Sequence, residues 1–141
     1  MAAETTTGQR PGTMRLIDAL QYRLPVAGLV SILHRASGML MFFLLPFIVW
    51  LFDASLSSEI SYSRFVSVFT AGVGFVPGWF MKLIALALVW AYLHHFIAGV
   101  RHLWMDATHA VDLKFGRQSA MFTLVSSLAL TVLLGLKLFF F

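Results

Sequence analysis

Three apolar stretches, at about residues 27–52, 78–100 and 119–141, constrain this chain more than anything else in it. At ~1.5 Å per residue, even the shorter ones reach across the ~30 Å hydrocarbon core of a bilayer as helices. The composition agrees: of 141 residues, 60% are hydrophobic and 11% charged, where a soluble domain is about 25% charged. A chain this short has no core large enough to hide so much apolar surface from water. The expected fold is therefore all-α, an integral membrane protein of three transmembrane helices. A cytoplasmic N-terminal segment, 1–26, would precede a single three-span membrane domain, 27–141.

The punctuation between the stretches sets the expected topology. His34-Arg35 is the only charge-bearing interruption of the first, which also contains Pro46, a residue that membrane helices tolerate when neighbours satisfy the freed carbonyl. Asp53–Pro77, rich in Ser and Gly, reads as a loop, and so does Arg101–Gln118. Residues 14–25 read as a short amphipathic segment at the interface, with Pro25 opening the first span. Of the ten Lys and Arg, seven (Arg10, Arg15, Arg23, Arg35, Arg101, Lys114 and Arg117) flank one side of the spans, and Arg64, Lys82 and Lys137 the other. That imbalance puts the N-terminus and the second loop in the cytoplasm and the C-terminus in the periplasm. Residues 1–25 lack the apolar core of a secretory signal, and Glu4 and Asp18 argue against a mitochondrial transit peptide, so a bacterial inner membrane is the expected location.

Several function classes fall away. The net charge of +4 is spread over span ends and loops rather than gathered on one face, which excludes nucleic-acid binding. There is no cysteine, so this chain holds no disulfide, catalytic thiol or iron–sulfur cluster. No Ser–His–Asp set, phosphate-binding Gly-rich loop or paired carboxylates occur in a plausible cavity, so no catalytic residues are assigned.

Ionisable residues inside a span are costly, and those present are candidates for function. One group is Ser31, His34 and Arg35 near the start of the first span. The other is His94 and His95 near the end of the second, followed by Arg101, His102 and Asp106. Antiparallel spans would bring both groups to the same cytoplasmic level. Ala91, His95, Gly99 and His102 share one helical stripe, in which small residues flank His95 by a turn on either side. Such a stripe would let a flat macrocycle approach, and imidazole is a standard axial ligand of haem iron. His94 is rotated ~100° from His95, so the two do not readily bind one metal. Spacing alone leaves His95 open to an interhelical hydrogen bond or a proton relay as well as to haem.

The segment Ser31-Ile32-Leu33-His34-Arg35-Ala36-Ser37-Gly38 resembles the SxxHRxSG signature of the cytochrome b subunits of succinate dehydrogenase, and His95 to Asp106 resembles their HxxxGxRHxxxD signature. The likeness runs from about Arg15 through the third span. It implies half of a heterodimeric helix bundle around haem b. His95 would be one axial ligand, and a second membrane-anchor subunit would supply the other. It also implies a ubiquinone site using Ser31 and Arg35, with His34 towards the haem propionates; Arg101, His102 and Asp106 of the second signature, and His94 beside it, are candidate supporting residues. Electrons would come from succinate through a flavoprotein subunit and an iron–sulfur subunit. His94 beside His95 departs from the usual pattern, and the spacing to Gly99 favours His95 as ligand. The competing readings are a haem-free anchor of the fumarate reductase type and a small transport subunit with a histidine proton relay.

Overall fold

Two of the long helices start directly after a proline. In a computed structural model that describes Ile17, Tyr22, residues 24–110 and residues 112–140, four helices have both ends described: α1 (Val26–Leu56), α2 (Glu59–Thr70), α3 (Gly78–Thr108) and α4 (Leu113–Phe140). Pro25 and Pro77 occupy the N-caps of α1 and α3 with φ of −64° and −71°. A ring that fixes φ near −65° and lacks an N–H loses nothing where an amide would have no helical partner. Helices α1, α3 and α4 are each long and apolar enough to cross a membrane, in accord with the three expected spans. Most of the interfacial segment expected over 14–25 lies outside the described residues.

The helices extend beyond the apolar stretches. Helix α1 continues through Pro46 and past Phe52 to Leu56, α3 past Val100 to Thr108, and α4 begins at Leu113 rather than near Ser119. Hydropathy marks where lipid ends, whereas a helix ends where its terminal groups find caps. At the end of α1, both the amide and the hydroxyl of Ser57 donate to the Asp53 carbonyl, at 3.0 and 2.7 Å. At the end of α3, His109 turns left-handed (φ 54°) and its Nδ1 donates to the Asp106 carbonyl at 2.8 Å. Helix α4 starts where the Asp112 carboxylate accepts from the Phe115 amide at 3.1 Å. The expected loop of Arg101–Gln118 thus contracts to a short turn.

The first expected loop is also corrected, because it contains α2. The Ser58 hydroxyl accepts from the Ser61 amide at 3.1 Å, and the Ser61 hydroxyl accepts from the Ser58 amide at 3.0 Å. This reciprocal capping satisfies two orphan donors with serines that otherwise read as loop residues.

Packing follows small residues. Ala120, Thr123, Ser127, Thr131 and Gly135 form the buried face of α4, spaced three or four apart so that they line one side of the helix. Small side chains allow close backbone approach, and van der Waals packing is what joins helices in lipid. Val30, Ala98 and Ala120 make the point where α1, α3 and α4 meet. Contacts between the start of α3 and the end of α4 show these two to be antiparallel: Lys82 Nζ donates to the Leu138 carbonyl at 3.1 Å and lies 5.5 Å from the Phe139 ring centre. Its charge therefore meets the negative end of the α4 dipole. Replacing Lys82 with methionine is expected to lower the thermal midpoint of the detergent-solubilised protein, by a few degrees for a loss of about 1 kcal/mol. By contrast, the most apolar window of α1 has no buried residue, and Phe42, Phe43, Trp50 and Phe52 are exposed. That face needs lipid or another protein to cover it.

Candidate functional site

The packing of α1 on α3 puts histidines from both helices in contact. His34 stacks on His95, with ring centres 4.2 Å apart and planes inclined by 24°, and its ring centre is 5.2 Å from that of His102. The early part of α1 therefore lies against the late part of α3, and Arg35 is carried to the same level as the neighbour of His34 in the chain.

His95 is held by one nitrogen only. Its Nδ1 lies 2.9 Å from the His34 carbonyl oxygen. A carbonyl only accepts, so Nδ1 carries a proton, and in the neutral ring the lone pair is then on Nε2. Ser37 Oγ donates to the same carbonyl at 2.9 Å and lies 3.3 Å from His95 Nδ1. His95 is half-buried, and its Nε2 makes no hydrogen bond to a described residue.

His94 has the opposite placement. It is 0% exposed, at the centre of the bundle, with its ring 5.3 Å from that of Trp90 and Nδ1 3.4 Å from Ser127 Oγ on α4. Its Nε2 is buried without a partner among the described residues. A rotation of ~100° per residue is why neighbours in sequence have such different surroundings.

The other expected supporting residues separate in the same way. Arg101 is only 9% exposed. Its Nε donates to Ser119 Oγ at 2.9 Å and its Nη2 to the Gly116 carbonyl at 3.2 Å, so it ties α3 to the first turns of α4. His102 lies beside His34. The Asp106 side chain is exposed, and it is the backbone carbonyl of this residue that serves His109. Charged hydrogen bonds contribute about 1.5–3 kcal/mol each. Arg101→Leu is therefore expected to reduce accumulation of the folded chain in membranes, measured by immunoblot, whether or not a cofactor is supplied.

Ser31 and Arg35 are four residues apart on α1 and share a face. Ser31 is half-buried and Arg35 exposed. Helical serines here commonly turn back on their own helix, as Ser37, Ser119, Ser126 and Ser127 do onto carbonyls three or four residues earlier. Ser31 makes no such bond, and Arg35 has no ion pair among the described residues.

The small residues that flank His95 in its stripe have different surroundings. Ala91 is buried within the bundle. His34 lies beside Gly99, and its Nε2 would be in ordinary contact, at 3.6 Å, with a Cβ built there. Ser37 and Gly38, to which the sequence assigns no role, also lie in the site, against His95. The available signal was a Ser-Gly pair three and four residues after His34, which uncovers one carbonyl of α1. Among the described residues no three His, Asp or Glu converge on a common metal position.

Residues 9–134 match the family described as succinate dehydrogenase/fumarate reductase transmembrane subunit. The chain is similar to proteins named succinate dehydrogenase cytochrome b556 subunit. That of Paracoccus denitrificans is 29% identical over 99% of both chains. That of Coxiella burnetii is 30% identical over 84% of this chain and 90% of its own. That of Rickettsia felis is 26% identical over 80% of this chain and 82% of its own.

Proposed function

Since the chain belongs to the succinate dehydrogenase/fumarate reductase transmembrane subunit family, we propose that it is the cytochrome b anchor of a succinate:ubiquinone oxidoreductase, sharing one haem b with a second anchor subunit and contributing Ser31 and Arg35 to ubiquinone reduction. The observation that carries this reading is the bond from His95 Nδ1 to the His34 carbonyl. Metal-ligating histidines almost always donate their other N–H to a carbonyl or carboxylate, which fixes the tautomer and raises the basicity of the ligating nitrogen. His95 already has that arrangement, with Nε2 free and the side chain half-buried on α3. The residues thus fit a haem ligated from one side by this chain. His94, enclosed and facing α4, does not compete, so the second ligand belongs to the partner anchor.

The chemistry that haem b would supply when bound is one-electron transfer. The chain's own residues do the rest. Ser31, uncommitted within α1, donates to a quinone carbonyl oxygen. Arg35, one turn further on, offsets the negative charge that grows on that oxygen as electrons arrive, the logic of an oxyanion site. His34, stacked on His95, supplies a donor for the haem propionates, and His102, tilted against the His34 ring, supports it. Succinate oxidation takes place on a flavoprotein subunit and reaches the membrane through an iron–sulfur subunit. Both would dock at the cytoplasmic level, where the majority of the Lys and Arg place the N-terminus and the α3–α4 turn. In the purified complex, a dithionite-reduced minus oxidised spectrum should contain a b-type haem band. Its absence would replace this reading with a haem-free anchor.

A further inference from the structure

A carbonyl inside an α-helix is ordinarily engaged by the amide four residues later and screened by the side chains three and four residues on. After His34 those positions are Ser37 and Gly38. The glycine removes one screen altogether, and the serine, 4% exposed, bonds the carbonyl rather than covering it. That is how a ring on a different helix comes within 2.9 Å of the oxygen. The fit is tight: a Cβ on Gly38 would stand 2.7 Å from His95 Cε1 and 3.2 Å from Nδ1. A clash of the first size cannot be absorbed without moving the imidazole or parting α1 from α3.

We propose that Ser37 and Gly38 are positioning residues for the haem ligand: together they fix the ring plane of His95 and the strength of its Nδ1 hydrogen bond. This rests on His95 being the ligand. The plane of an axial imidazole sets the splitting of the iron d orbitals, and the Nδ1–H bond sets how strongly the ring donates to the metal. Both are read directly from the bound haem, without reference to turnover.

The test uses the assembled complex in membranes, with low-spin haem electron paramagnetic resonance and a redox titration as readouts. Gly38→Ala should retain the haem band but shift the largest g value and raise the midpoint potential, because a displaced ring loses its bond to the His34 carbonyl and donates less. Gly116→Ala is the control, since a Cβ there meets nothing within 4 Å, and both readouts should match the wild type. Should Gly38→Ala fail to assemble, Ser37→Ala decides, as it leaves the helix contact intact. A shifted signal that Ser37→Thr returns to normal supports the proposal. Wild-type g values and potential in Ser37→Ala, or in an assembled Gly38→Ala, overturn it. A full haem band in His95→Ala would instead remove the ligand assignment underneath. Loss of haem in His95→Ala with unmoved signals in the other two variants would remove only the positioning role.

Discussion

Replacing His95 with alanine is expected to remove the b-type band from the spectrum of the assembled complex, whereas replacing its neighbour His94 with leucine is expected to leave that band in place. The two imidazoles differ in access rather than in chemistry. His95 is half-buried, is held at Nδ1 by the His34 carbonyl and has an Nε2 that bonds to no described residue. His94 is fully enclosed between Trp90 and Ser127, and no partner subunit can reach it. On the proposed ligation, alanine at 95 would remove this chain's bond to the iron, so haem content should fall to near background in a pyridine haemochrome assay. Leucine at 94 removes a buried Nε2 that has no partner among the described residues, and Ser127 still donates to the Leu124 carbonyl at 3.1 Å. The exchange is of similar volume, with a stability cost on the order of 1–3 kcal/mol. The reverse pattern, with haem kept by His95→Ala and lost by His94→Leu, would make His94 the ligand.

Arg35→Leu is expected to slow ubiquinone reduction by about 10²–10³-fold, the usual effect of deleting a donor to a developing oxyanion. Succinate oxidation with an artificial electron acceptor should continue at the wild-type rate, because that acceptor bypasses the membrane subunits. Arg35 is exposed and bonded to no described residue, so its loss should spare the fold, in contrast to the buried Arg101. Arg35→Lys should recover part of the rate, since charge is kept while the planar fork is lost. Ser31→Ala should cost roughly tenfold, about what one hydrogen bond contributes. Equal quinone reductase rates in Arg35→Leu and wild type would withdraw the assignment of the quinone site to this face of α1.

Much of the molecule was legible in its linear order, and the parts that were not share a cause. The cost of lipid exposure adds up along consecutive residues, so a window of about 20 is enough to find a span. For the same reason the chain alone determined three membrane helices and the common level of Ser31-to-Arg35 and His95-to-His102. Helix ends depend on single hydrogen bonds, and those made by Ser58 with Ser61, by Asp112 with Phe115 and by His109 with Asp106 carry no hydropathy signal. Helix α2 and the extended ends of α1, α3 and α4 therefore emerged only in three dimensions.

What each side chain does was decided later still, by which helix faces meet. The small-residue face of α4 draws α3 against it and encloses His94 and Arg101. That rotation leaves His95 pointing at α1, where Ser37 and Gly38 uncover a carbonyl to receive it. Spacing along one helix cannot reveal such an outcome, because the direction of a side chain acquires meaning only against a neighbouring helix.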